Sequence, residues 1–136
     1  MCSTMKVLFV CTGNACRSPL AEALLKKYRL EIHVDSAGTH AYYRIVDLTI
    51  RYCGEEKVSD YLKDFPESLE SKNLNDYDLV VAMEPQHKNA IIQRTPTCAD
   101  KVVVWNIDDP YHLSYVHAKK IFEKMKSKVA HLAKSL

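Results

Sequence analysis

Four short runs dominate the apolar pattern of this chain: KVLFV (6–10), EIHVD (31–35), DLVVAM (78–83) and KVVVW (101–105). Three of them are continuous rather than alternating, as strands covered on both faces are. Between them the period lengthens. SPLAEALLKKYRL (18–30) sets Leu20, Leu24 and Tyr28 on one helical face, with Pro19 expected at the first helical position. VDLTIRYCGEE (46–56) and PQHKNAIIQR (85–94) predict two more helices. Near the end, Ala118, Ile121, Phe122, Met125, Val129, Leu132 and Leu136 recur at steps of three and four. Lysines 119, 120, 124, 126 and 128 fill a solvated face of that helix. The polar stretch 57–77 is expected to hold one or two short helices. Strands alternating with helices in this order predict one doubly wound α/β domain over residues 1–136. Its four-stranded parallel sheet would carry helices on both faces.

Composition narrows the function. The 136 residues carry a net charge of +2, too little for the broad basic field of a nucleic-acid binder. No apolar run approaches the roughly 20 residues that span a bilayer, so no membrane partner is expected. The opening MCSTMKVLFVC lacks the apolar region and cleavage site of a secretory signal, which points to the cytoplasm. Five cysteines, at 2, 11, 16, 53 and 98, are odd in number and form no C-x-x-C pair. Neither a disulfide framework nor a zinc site follows from them, so free thiols are expected. The six histidines show no pair at helical ligand spacing, and His40 and His112 fall on loops near a sheet edge. The reading is a monomer with no metal and no cofactor.

The chemistry concentrates in FVCTGNACRSPLAEALL (9–25). In a doubly wound sheet, ligands sit beyond the carboxyl ends of the strands. Cys11 ends the first strand there, and TGNACR must turn the chain into a helix. Gly13 and Asn14 are residue types that tolerate positive φ. Such a loop aims backbone N–H groups at one point, and the positive end of the helix dipole points the same way. That is an anion cradle of phosphate size, and Arg17 adds a fork that grips two phosphate oxygens. All these groups favour the thiolate form of Cys11. A thiolate beside a bound phosphate group can attack phosphorus in line, with the same donors stabilising the transition state.

The leaving oxygen then needs a proton. WNIDDPYH (105–112) follows the fourth strand on the same sheet edge, and Asp108 or Asp109 could reach over the cradle.

These residues resemble a known family. VCTGNACRSPLAE is similar to the Cys-x5-Arg-Ser signature of the low-molecular-weight protein tyrosine phosphatases. DSAGT (35–39), DLVVAMEPQH (78–87) and DDPY (108–111) resemble further blocks of that family, in family order. The resemblance implies a protein tyrosine phosphatase acting on phosphotyrosine-containing proteins through phosphocysteine, without a metal. It implies Cys11 as nucleophile and Arg17 as phosphate clamp. Thr12, Gly13, Asn14, Ala15 and Cys16 would supply loop amides, and Ser18 would stabilise the Cys11 thiolate. Asp109, directly before proline, would be general acid and then base. Ser36 would support the loop from behind, and Tyr42 and Tyr111 would wall the slit. A reversible Cys11–Cys16 disulfide is also implied.

Two departures bear on substrate. Ala15 stands where phosphotyrosine enzymes of the family often carry a larger aliphatic residue and related protein arginine phosphatases carry threonine. The AMEPQHKNAI block is also close to that of the arginine phosphatases. Segment 57–77 matches the family poorly. Thioredoxin-linked arsenate reductases share a similar loop and a similar acid block, but need two further relay cysteines. Met83-Glu84 stands where the first of these would lie, and Cys53 and Cys98 fall elsewhere. A non-catalytic phosphate-binding module would lack the nucleophile, the arginine or the acid, and all three are present.

Overall fold

The structure, a computed structural model, describes residues 5–136, so Cys2 lies outside the described part. The first apolar run forms β1 (Lys6–Cys11), which pairs with β2 (His33–Gly38) on one side and β3 (Leu79–Ala82) on the other. β4 (Val102–Val104) completes a sheet of order β2-β1-β3-β4, parallel throughout. As the central strand, β1 buries both faces, which is why its sequence does not alternate. Val7, Phe9 and Cys11 enter one core, and Leu8 and Val10 enter the other.

The first core is roofed by α1 (Arg17–Tyr28), α2 (Asp47–Glu55) and α4 (Tyr115–Ser135). The second lies under α3 (Pro85–Arg94), with Leu69, Leu74 and Cys98 from short 3-10 turns. The chain leaves β1 for β2 on one side and later returns to β3 on the other. This reversal places a topological switch point at the carboxyl end of β1.

The predicted order of elements and the expected fold class hold; several details differ. Pro19 is the third residue of α1, not the first, because the helix begins at Arg17. Proline is tolerated there since first-turn N–H groups lack intrahelical acceptors. α1 is buried over all of Arg17–Leu25, wedged between the sheet and α4, so its burial is broader than one face. Tyr28, placed on that face by periodicity, is part-exposed. β2 starts two residues later than expected and runs on through Ser36, Ala37 and Gly38, whose small side chains hid it. Segment 57–77 forms three single 3-10 turns, Ser59–Tyr61, Leu69–Ser71 and Leu74–Asp76, rather than one or two helices. A fourth, Pro96–Lys101, precedes β4. Among the described residues, no helix is long and apolar enough to cross a membrane.

Candidate active site

Residues 11–18 wrap the carboxyl end of β1 into the N-terminus of α1. Five of the loop's carbonyls are tied down by the segment after β2. Cys11 O accepts from Thr39 N (3.0 Å), Thr12 O from His40 N (2.8 Å), Gly13 O from Tyr42 N (2.8 Å) and Ala15 O from Val46 N (2.9 Å). Cys16 O accepts from the Thr49 hydroxyl at 3.0 Å. With these carbonyls engaged, the amides face inward. Those of residues 12–16 meet no backbone carbonyl among the described residues. Cys16, at the N-cap of α1, makes no side-chain cap, so the first-turn N–H groups stay open to an anion.

Two glycines let the loop close, Gly13 for a different reason than expected. Gly13 has no positive φ; only Asn14 takes the left-handed turn, at φ 51°. A Cβ on Gly13 would lie 2.8 Å from the Tyr42 ring, so glycine admits the aromatic wall. At Gly38 a Cβ would stand 2.5 Å from Thr12 O and 2.8 Å from Asn14 N. The end of β2 therefore has to be bare for the loop to lie against it.

Behind the loop runs a polar chain. Cys11 Sγ lies 2.9 Å from Ser18 Oγ. Asn14 Nδ2 donates to Ser18 Oγ (2.8 Å) and to Ser36 Oγ (2.9 Å). Because Ser18 accepts from Asn14, its single proton is free to be donated to the Cys11 sulfur. Ser36 in turn donates to the buried Glu22 at 2.5 Å, and Lys26 donates to the same carboxylate. No buried side-chain donor or acceptor among the described residues is left without a partner.

Arg17 is 2% exposed. Its Nη1 donates to Glu84 Oε1 (2.5 Å) and to Ile107 O (2.7 Å), and its Nη2 lies 4.0 Å from Asp109 Oδ2. Asp109 is half-exposed, with Oδ1 held by Tyr111 N at 3.0 Å. Cys11, Thr12, Gly13, Ala15, Cys16, Arg17, Asp109, Tyr42 and Tyr111 together line one narrow cleft.

A family comparison decides what this cradle belongs to. Residues 6–136 match the family described as "Low molecular weight phosphotyrosine protein phosphatase". The chain belongs to the low-molecular-weight phosphotyrosine protein phosphatases. It is 33% identical over 116 residues to the low-molecular-weight protein-tyrosine-phosphatase Wzb of Escherichia coli K12, covering 79% of each chain. It is 32% identical over 152 residues to the protein-arginine-phosphatase of Bacillus subtilis, covering 97% of each. Among solved structures, Vibrio vulnificus Wzb in complex with benzylphosphonate superimposes with a TM-score of 0.89 at 28% identity. That match covers 98% of this chain and 100% of the other. The fold class expected from the strand pattern is that of these phosphatases, and the chain is a hydrolase of their kind.

Of the residues singled out from the sequence, Cys11, Thr12, Gly13, Ala15, Cys16, Arg17, Tyr42, Asp109 and Tyr111 line this cleft, and Asn14 does not. Ser18 and Ser36 sit behind the loop rather than in the cleft. Asp109 lines the cleft and Asp108 does not, which separates the two acid candidates. Tyr42 and Tyr111 stand at the mouth, but their rings meet edge-on, with centroids 5.8 Å apart at 79°. The Cys16 thiol is pushed up to about 12 by burial, so it stays protonated at neutral pH. His40 bonds Thr39, and His112 packs edge-on against Tyr111; neither lines the cleft.

Four supports escaped the sequence reading. Glu84, at the N-cap of α3, holds Arg17 while forming a capping box with His87. His87 Nδ1 accepts from Glu84 N (3.0 Å), which leaves its proton on Nε2, 2.8 Å from Thr12 Oγ1. Burial, then the nearby Arg17 charge, depresses His87 to about 4, so it remains a neutral donor to the loop. Lys63 and Glu67 reach Asn14 from the irregular segment. The block AMEPQH carried a signal for the first two. Nothing in the pattern of 57–77 marked the others.

Proposed function

We propose that this protein hydrolyses phosphotyrosine in protein substrates through a phosphocysteine intermediate, as a cytoplasmic monomer that needs no metal or cofactor. The observation that carries the reading is the cleft itself: Cys11 Sγ at the carboxyl end of β1, 2.9 Å from Ser18 Oγ, under the buried Arg17 and the half-exposed Asp109. The phosphate group binds against the inward amides of residues 12–16 and the Arg17 guanidinium. The Cys11 thiolate attacks phosphorus. The S–P bond forms as the P–O bond to the aryl group breaks, and the Asp109 carboxyl gives its proton to the leaving oxygen. The resulting Asp109 carboxylate then takes a proton from water, which attacks the phosphocysteine. The S–P bond breaks, releasing phosphate and restoring the thiolate.

Protein rather than small-molecule substrates are supported by the ground outside the cleft. A groove of about 640 Å³ leads from the mouth between Tyr42, Tyr43, Val46, Leu48 and Tyr111. Its largely apolar walls suit a polypeptide segment flanking the phosphorylated residue.

A second reading is phosphoarginine. Similarity to a protein-arginine-phosphatase along nearly the whole chain supports it, whereas Ala15, neither the larger aliphatic residue of the tyrosine enzymes nor the threonine of the arginine enzymes, favours neither substrate. Arsenate reduction is a weaker reading, although an arsenate reductase of Brevibacillus brevis is 30% identical over 132 residues. Neither Cys53, buried in the same core as Cys11, nor Cys98, buried in the other, lines the cleft, which speaks against a thiol relay through them.

The test is phosphate release from phosphotyrosine, phosphoarginine and phosphoserine peptides side by side, without metal. Preference for phosphotyrosine is expected. Preference for phosphoarginine would overturn the substrate and keep the mechanism.

A further inference from the structure

Segment 57–77 forms no long helix and no strand, yet it reaches the back of the catalytic loop. The Lys63 side chain, 9% exposed, carries its ammonium to Asn14 Oδ1 (2.8 Å), Ser36 O (3.0 Å) and Ser36 Oγ (3.2 Å). Glu67 Oε1 closes the ring at 2.7 Å. Glu67 also works through its backbone: its N–H donates to Asn14 Oδ1 at 2.7 Å, and its carbonyl accepts from Gly38 N at 2.9 Å. Lys72 anchors Glu67 from the far side at 2.9 Å and ties it to Asp35 at 3.1 Å.

An asparagine amide can sit in two orientations. Two donors from this segment converge on one atom of Asn14, and only oxygen can accept both. That fixes Nδ2 toward Ser18 and Ser36. Ser18 must then accept from Asn14 and turn its own proton to Cys11. With the amide reversed, Oδ1 would accept the Ser18 proton and draw it away from the sulfur. The same cation also adds a positive charge behind the loop.

We propose that Lys63 is a positioning residue for catalysis: held by Glu67, it fixes the Asn14 amide and thereby keeps the Ser18 hydroxyl donating its hydrogen bond to the Cys11 sulfur. This rests on the reading of Cys11 as nucleophile. It assigns a task to the long irregular segment between α2 and β3.

The experiment is a double-mutant cycle between Lys63→Met and Ser18→Ala, read as kcat and KM on a small aryl phosphate, with melting temperature alongside. Lys63→Met keeps the apolar stem and removes the charge. It is expected to lower kcat about tenfold, the scale of one charge-assisted hydrogen bond, with KM changed less than about twofold. In the Ser18→Ala background the same substitution should cost little more, because its route to the sulfur is already cut. Lys63→Gln, which keeps one donor, serves in the cycle if the methionine variant does not fold. Multiplicative losses, or a rise in KM parallel to a fall in melting temperature, would reduce Lys63 to a structural prop and overturn the proposal. An unchanged kcat would overturn it too. Wild-type turnover measured in the same series reports separately on whether the protein is a phosphatase.

Discussion

Replacing a single hydrogen by a methyl at Gly38 tests how tightly the fold holds the catalytic loop. The added Cβ would stand 2.5 Å from Thr12 O, 2.8 Å from Asn14 N and 2.9 Å from Gly13 C, all backbone atoms. No side chain can rotate away to relieve the contact. Restoring ordinary van der Waals distance moves loop or strand by about 1 Å, and overpacking of this kind costs about 1–3 kcal/mol. The moving atoms are those that orient the amides around the phosphate group, so a shift of about 1 Å is expected to cost about a hundredfold in turnover. Gly54 is the internal control. It lies in α2, where an added Cβ meets only Ser59 Oγ at 3.9 Å. Alanine there should stabilise the helix by about 0.5–1 kcal/mol and leave turnover untouched. The assay is thermal unfolding by circular dichroism together with kcat on p-nitrophenyl phosphate. Wild-type turnover in Gly38→Ala, or an equal loss in Gly54→Ala, would refute the claim that β2 and the loop are packed against each other to set the site.

Asp109→Asn should slow esters with poor leaving groups by about 10²–10⁴-fold while sparing activated aryl phosphates; equal losses on both would remove it as the acid. Glu84→Ala should leave the buried Arg17 under-compensated and cost about 3 kcal/mol of stability, since breaking one side of a buried pair is expensive. Saturating phosphate should restore part of that in a melting experiment. His87 is held near 4 in the native protein against an ordinary value of 6.5, so acid protonates the unfolded chain first. Its contribution is whole above pH 6.5 and lost as pH falls toward 4, on the order of 3 kcal/mol at most. His87→Gln should flatten that part of the pH–stability curve, and an unchanged slope would contradict the assignment.

How far the sequence could be read depended on whether a residue's job was local. β1 was legible because a central strand buries both faces and so reads as an unbroken apolar run. Cys11, Arg17 and Ser18 were legible because one loop carries them at fixed spacing. The acid loop needed only proline and a strand before it, but it offered Asp108 and Asp109 alike, and the resemblance alone favoured Asp109. Gly13 was found for an incomplete reason: it sits under the Tyr42 ring, a contact made by residues 29 positions apart that no local rule reports. Gly38, Glu84, His87, Lys63 and Glu67 act across the fold. Their partners lie 24 to 75 residues away and come together only when β2, β1 and β3 are side by side. The tail of β2 was missed because Ser36, Ala37 and Gly38 are small where strands are usually bulky.

The most direct test of the account is to trap its covalent intermediate. The protein is mixed with an aryl phosphate, quenched in acid within one turnover, digested and examined by mass spectrometry. The account predicts one phosphoryl group on the peptide containing Cys11, absent in Cys11→Ser and longer-lived in Asp109→Asn. Full turnover with no phosphoryl group on Cys11, or with one on any other residue, would contradict it.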